Sequence, residues 1–213
     1  MPLIKIENIN SDCKWALWEI TESFEELSSC LDLKNEAGQI ESIKNESKKL
    51  EKLAGRILLK KILESWNEPY LGTDCDVYRK PFLRNKAYSI SISHSHGLAV
   101  AIINKNVKIG IDIELTQDKI VKIAHRVFTE VEIGAHVGNI PLLITLWNMK
   151  EAIYKLYGER ELDFRKNILI LPFKFQENGG ICEGMVRTKD IHTTLNITYL
   201  KYKDFRIAYV LDH

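Results

Sequence analysis

The 213-residue sequence predicts an α+β fold. Three observations carry this. One long amphipathic helical pattern lies in the first half of the chain and another helical stretch lies in the second. Short segments of alternating or continuous apolar residues flank both. Both halves therefore mix helix and sheet.

The elements follow in order. Ile4, Ile6 and Ile9 open a strand, and Trp15 to Ile20 reads as a second. A helix is expected from about Ser42 to Leu63. Leu50, Leu53, Ala54, Ile57, Leu58 and Ile62 recur there at three- and four-residue spacing, which makes one apolar stripe. Asn67, Glu68, Pro69 and Gly72 break it. Tyr88, Ile90 and Ile92 alternate with Ser89, Ser91 and Ser93, as in a strand. Leu98 to Ile103 is a continuous apolar run, the pattern of a strand buried on both faces. Asn104-Lys105-Asn106 is a turn candidate and the expected boundary between an N-terminal half, 1–105, and a C-terminal half, 106–213. Val107, Ile109, Ile111 and Ile113 form the next alternating strand. Leu142 to Tyr157 is the best helix of the second half, with Pro141 at its start and Gly158 in a C-cap position. Strands are expected near Ile168–Leu171, Leu195–Leu200 and Phe205–Leu211.

Composition narrows the class. The chain is 45% hydrophobic and 28% charged, as soluble globular proteins are. No apolar run reaches the ~20 residues of a membrane-spanning helix. The first residues show no basic segment leading into an apolar stretch, so a cytoplasmic address is expected. Cys13, Cys30, Cys75 and Cys182 form no C-x-x-C pair, and free, mostly buried thiols are expected. The net charge of +1 hides an asymmetry: residues 1–76 carry 15 acids and 10 bases, whereas Val77 to Ile111 contains no acid. That stretch holds Arg79, Lys80, Arg84, Lys86, Lys105 and Lys108, with His94 and His96, and ends at Asp112 and Glu114. The pattern suits either a solvated basic face or an anion beside a metal ion. A nucleic-acid partner is disfavoured by the near-neutral isoelectric point of 7.7.

The candidate chemistry sits in three places. Along Val107–Glu114, Lys108, Gly110, Asp112 and Glu114 share one strand face. Two carboxylates two residues apart repel, and water, a base, a raised pKa or a divalent cation must offset that. Gly110 would leave room for a ligand beside them. The alternative is an exposed strand end with solvated acids. On the second-half helix, Glu151 and Lys155 are an i,i+4 pair, either an ordinary surface ion pair or a metal ligand and a phosphate ligand. Third, Ser93, His94, Ser95 and His96 crowd a strand end where hydroxyls, imidazoles and N–H groups suit a phosphate oxygen. The two histidines match no standard structural zinc spacing. No G-x-S-x-G elbow, P-loop or G-x-G-x-x-G is present.

Taken together, Lys80-Pro81, Ser93-His94-Ser95, Gly110-Ile111-Asp112-Ile113-Glu114, Phe128-Thr129-x-x-Glu132 and Trp147-x-x-Lys150-Glu151-Ala152-x-x-Lys155 resemble a family. It is the 4′-phosphopantetheinyl transferases of the surfactin-synthetase-activating type. The resemblance runs from about residue 55 to 162. It implies two similar α/β halves related by a pseudo-two-fold, with coenzyme A in the cleft between them. The implied reaction moves the phosphopantetheine arm of coenzyme A to a serine of an apo acyl or peptidyl carrier protein. It uses Mg2+, with Mn2+ an alternative, and releases 3′,5′-ADP. The resemblance implies Asp112, Glu114 and Glu151 as metal ligands. It implies Arg56, Lys80, Ser93 and His94 as coenzyme contacts, and Lys155 beside the reacting pyrophosphate. Glu151, directly or through a bound water, is the first candidate for general base and Glu132 the second. A monomer is expected. Two departures stand out: Thr129 replaces the usual serine or alanine, and His96 stands where many members have glycine. Residues 1–43 offer only Lys5, Lys14 and Lys34 for the coenzyme 3′-phosphate, so none is assigned to it. The other readings are a coenzyme A- or nucleotide-binding regulator without chemistry and a nucleic-acid-binding protein.

Overall fold

The computed structural model describes residues 2–31, 36, 40, 42–134, 138–158 and 162–212. Lys34 lies outside them. The chain divides into two compact units, Met1–Asn106 and Val107–His213.

The N-terminal unit carries a four-stranded antiparallel sheet. β1 (Leu3–Asn10) and β2 (Cys13–Glu19) form a hairpin, and β5 (Ser89–Ser95) and β6 (Leu98–Asn104) form another. The strand order is β1-β2-β6-β5. Between the hairpins run α1 (Phe24–Ser29), α2 (Glu46–Glu64) and a small β3 (Thr73–Cys75)–β4 (Pro81–Leu83) ladder. Leu53, Ala54, Ile57 and Leu58 of α2 pack on Trp18, Ile90, Ala99 and Ala101 of the sheet, so the apolar stripe is the buried face of α2. The helix starts at Glu46, about four residues later than its periodicity suggested. Asn45 explains this: its side chain accepts the Lys48 N–H at 3.0 Å and caps the helix there.

His96 lies in the two-residue turn joining β5 to β6. His96 has φ 46° and Gly97 φ 80°. Two successive left-handed residues suit the tight hairpin turn that follows the twist of its strands, which is why glycine is favoured there. His96 occupies this position at a conformational cost, with Nδ1 3.0 Å from Ser95 Oγ.

The C-terminal unit is a five-stranded antiparallel sheet in the order β7-β11-β10-β9-β8. β7 is Ile109–Leu115, β8 Ile168–Ile170, β9 Gly179–Arg187, β10 His192–Tyr202 and β11 Phe205–Leu211. Short helices α3 (Ala124–Val127) and α4 (Glu130–Ile133) precede the long α5 (Ile140–Tyr157). Asn139 caps α5 at the Leu142 N–H, Pro141 sits in its first turn, and Gly158 closes it with φ 77°. Leu143, Leu146, Met149, Ile153 and Leu156 pack on Ile168, Ile197, Tyr199, Ala208 and Val210. β9 escapes the periodicity reading. Its glycines hide the alternation but are needed for packing: a Cβ on Gly184 would lie 2.6 Å from Ile197 Cδ1 and 2.7 Å from Ile153 Cδ1.

Cys13 and Cys182 are buried thiols, held up at about 11 and about 12 by burial, whereas Cys75 is exposed. No helix among the described residues is long and apolar enough to cross a membrane.

Beyond the C-terminal end of α2, Glu68 gathers three donors: Lys105 Nζ at 2.8 Å, Lys86 Nζ at 2.6 Å and the Tyr88 hydroxyl at 3.2 Å. The two ammonium groups pull its carboxyl down to about 2 from 4.5. The folded state therefore holds the ionised form, and this stabilisation is complete above pH 4.5 and lost as pH falls from there towards 2. Glu68→Gln is expected to lower the thermal midpoint at pH 7. The gap from the wild type should close between pH 4.5 and 2. A constant gap across this range, measured by circular dichroism melts, would remove Glu68 as an acid-sensitive tie.

Candidate active site

Strand β7 and helix α5 meet at unusually short range, and Gly110 is the reason. A Cβ there would overlap the Ala152 carbonyl oxygen and lie 2.8 Å from the Leu156 nitrogen. The sequence suggests room for a ligand beside Gly110. The helix backbone fills that space instead. The glycine serves close packing, and that packing carries α5 side chains to the β7 carboxylates.

Asp112 is 4% exposed. Its Oδ1 accepts Lys155 Nζ at 2.7 Å, across from α5 to β7. Lys155 thus pairs with the strand rather than serving only the i,i+4 position of its own helix. Glu151, one turn earlier, is pushed up to about 7 from 4.5. Burial is the main cause, the Asp112 carboxylate adds to it, Lys155 opposes it, and Glu114 adds a smaller push. The Asp112 and Glu114 charges therefore both act on Glu151, with Lys155 the opposing cation. Among the described residues, no three acidic, histidine or cysteine side chains stand ready in metal-binding geometry. The donor set still fits a hard divalent cation: carboxylate oxygens only, with mutual repulsion that a cation relieves.

Glu132 is placed differently. Its side chain is 2% exposed and ion-paired with Lys150 at 2.8 Å. It also closes a capping box on Thr129, accepting the Thr129 N–H at 2.7 Å and hydroxyl at 3.0 Å, and takes the Ile170 N–H at 2.8 Å. Both of its oxygens are engaged by donors. Its suggested role as a base meets a group already engaged in holding α4, α5 and β8 together. Thr129 supplies the capping hydroxyl that serine would supply.

The N-terminal unit holds a groove of about 650 Å³, lined by Lys48, Glu51, Lys52, Arg56, Arg79 and His94 among others. Burial lowers the Lys52 ammonium from its usual value, with Arg56 adding to the effect. Arg56 is buried and ion-paired with Glu36, and its Nε donates to Thr73 Oγ1 at 3.1 Å. Glu36 Oε1 also accepts the Tyr70 hydroxyl and the Thr73 N–H, each at 2.7 Å. His94 lies in the groove with Nδ1 3.1 Å from Glu51 Oε2. Ser93 and His94 alternate across β5, so Ser93 is buried where His94 is exposed. Of the residues expected at a phosphate, Arg56 and His94 line this groove, whereas Ser93, Lys80 and His96 are not among its lining residues. The Lys80 N–H is held by Asp76 Oδ1 at 2.8 Å in the β3–β4 turn.

Residues 108–210 match the model of the 4′-phosphopantetheinyl transferase superfamily. The matched segment contains Asp112, Glu114, Glu132, Glu151 and Lys155. The match falls within the C-terminal unit, where it marks a superfamily domain at residues 108–210. Its presence supports an enzyme, a 4′-phosphopantetheinyl transferase. Such enzymes use coenzyme A as co-substrate and act on carrier proteins. No curated protein matches the chain significantly.

Sequence reasoning missed Glu36, Lys48 and Lys52, and the pairing of Lys150 with Glu132. Glu36 carries no local signal, because its partners are 20 to 37 residues away. Lys150 does carry one: it stands among Met149, Ala152 and Ile153 on the apolar helix.

Gly110→Ala is expected to force α5 off β7. Overpacking of this kind costs about 1–3 kcal/mol, so a clear fall in the thermal midpoint should accompany loss of transferase activity. An alanine variant with wild-type stability and activity would refute the close-packing role.

Proposed function

We propose that this chain is a Mg2+-dependent transferase that moves the 4′-phosphopantetheine of coenzyme A onto a serine of an apo carrier protein. The observation that carries this reading is the meeting of Asp112, Glu114, Glu151 and Lys155 at the β7–α5 contact, inside the segment matching the superfamily.

Asp112, Glu114 and Glu151 are the residues that would hold the metal. Once bound, the cation would neutralise charge on the pyrophosphate and stabilise the leaving phosphate. The chain's own groups do the rest. Lys155 exchanges its contact with Asp112 for a pyrophosphate oxygen. The serine oxygen of the carrier attacks the β-phosphorus, the bridging P–O bond breaks, and 3′,5′-ADP departs. The chain needs no nucleophile of its own, since positioning and charge neutralisation supply most of the acceleration in phosphoryl transfer. The serine proton passes to Glu151, directly or through an ordered water. Its raised proton affinity suits this, although that affinity falls when the same carboxylate binds a cation. Glu132 is set aside as the base because its oxygens are already donated to.

The basic groove of the N-terminal unit suits the nucleotide end of coenzyme A. Lys48, Lys52, Arg56 and Arg79 offer more positive charge than Glu51 removes. Arg56 is partly neutralised by Glu36, which makes Lys48, Lys52 and Arg79 the stronger phosphate ligands. His94 joins them when it releases Glu51. Lys80 and Ser93, the other proposed phosphate contacts, lie outside the residues that line this groove.

The test is intact mass spectrometry of apo acyl and peptidyl carrier proteins incubated with the chain, coenzyme A and Mg2+, beside an EDTA control. One added phosphopantetheine, lost with EDTA, is the expected result. Asp112→Ala and Glu151→Ala should each slow transfer by about 100-fold or more while leaving the circular dichroism spectrum unchanged. Coenzyme A binding without transfer to any of several carrier classes would point instead to a non-catalytic binding protein. Wild-type turnover in either variant would refute the metal assignment.

A further inference from the structure

Lys150 is fully buried, with 0% of its side chain exposed. Its ammonium contacts the Glu132 carboxylate and three carbonyl oxygens: Val127 at 3.0 Å, Phe164 at 2.8 Å and Ile168 at 2.7 Å. Burial lowers its affinity for the proton and the Glu132 charge restores part of it. Glu132 carries the network on to Thr129 and Ile170. The end of α3, the cap of α4, the Phe164–Ile168 stretch and β8 are thereby tied to one residue of α5. That residue immediately precedes Glu151.

A buried ion pair is a weak source of stability compared with well-packed apolar side chains of the same volume, and a unique geometry is what such a pair can add. The geometry here is the rotation of α5 about its own axis. Successive helix residues are separated by about 100°, so Lys150 and Ala152 lie about 200° apart. Ala152 is the residue whose carbonyl abuts Gly110. The helix is gripped from opposite sides, by β7 at Ala152 and by the polar knot at Lys150. Glu151 lies between the two grips. A further tie, from the Asn148 side-chain amide to the Arg206 carbonyl, holds the preceding turn to β11.

We infer that Glu132 and Lys150 are positioning residues, a buried pair that sets the rotation of α5 and so holds Glu151 and Lys155 against the β7 carboxylates. This rests on the transferase reading of the site. It separates Glu132 from proton transfer and gives Lys150 a role through Glu151.

The experiment compares the full chain with Glu132→Gln and with the double variant Glu132→Gln/Lys150→Met. The double variant leaves no unpaired buried charge and carries the same readouts should the single one fail to fold. Three quantities are read: Mn2+ affinity by electron paramagnetic resonance with no coenzyme A present, kcat and KM for transfer across pH, and the thermal midpoint. The expected result is a loss of about 10-fold in Mn2+ affinity, the size seen when outer-shell partners of metal ligands are removed. A comparable fall in turnover and an unchanged acid limb of the pH profile should accompany it. The double variant should be no worse than the single one. Loss of the acid limb with turnover reduced by about 100-fold or more, and Mn2+ affinity intact, would make Glu132 the base and overturn the inference. A lower thermal midpoint with unchanged Mn2+ affinity and kinetics would make the pair merely structural and overturn it equally. A wild-type chain that neither binds Mn2+ nor transfers would instead overturn the underlying transferase reading.

Discussion

The contact between β7 and α5 at Gly110 is the constraint on which the C-terminal unit turns. An ordinary side chain at this position would keep the helix away by the thickness of a methyl group or more. Asp112 and Glu151 would then be neighbours in solvent rather than partners in a buried field. At the observed distance they share a poorly screened environment. Glu151 is driven up to about 7 by burial and by its acidic neighbours, and Lys155 reaches Asp112 across the interface. One missing side chain thus converts a strand motif and a helix motif into one electrostatic unit.

The same contact explains why the polar interior of this unit is organised around α5. A helix that must approach a strand closely on one side has to be held from another. Lys150, Asn148 and the Gly158 cap all act on α5: the first two side chains donate to backbone carbonyls of Val127 and Arg206, and the Gly158 N–H donates to the Tyr154 carbonyl. Removing one member of the Lys150–Glu132 pair would leave an uncompensated charge, typically worth about 3–5 kcal/mol of destabilisation, although the intact pair adds little net stability. The arrangement favours a single helix orientation over maximal stability.

Much of this is legible in the sequence, for identifiable reasons. The stripe from Leu50 to Ile62 and the run from Leu98 to Ile103 are periodic because each has one dominant burial demand. The Asp112/Glu114 alternation on β7 needs only the two-residue repeat of a strand. What periodicity cannot supply is rotation and pairing between elements. Glu151 and Lys155 look equally like a surface ion pair until the helix is docked. β9 is lost because Gly180 and Gly184 accommodate neighbours by having no side chain, and an absent side chain leaves no hydropathy signal. Ser93 and His94 look like one cluster because they are adjacent, yet adjacency along a strand places side chains on opposite faces.

Arg56 and Glu132 show how a charged residue in a recognisable motif can carry a structural pairing that its sequence does not announce. Both belong to stretches that resemble phosphate or catalytic machinery, and both prove to be buried and already paired, with Glu36 and with Lys150. A paired charge acts differently from an available one: it organises its surroundings and contributes less to a ligand. In the basic groove this leaves Lys48, Lys52 and Arg79 as the other cationic lining residues, and in the C-terminal unit it leaves Glu151 as the carboxylate raised by burial and acidic neighbours. Each carboxylate takes its role from its donors. Glu132 accepts from four donors, whereas Glu151, crowded by acids, is the carboxylate whose proton affinity is raised, and the two roles proposed for them follow from that difference.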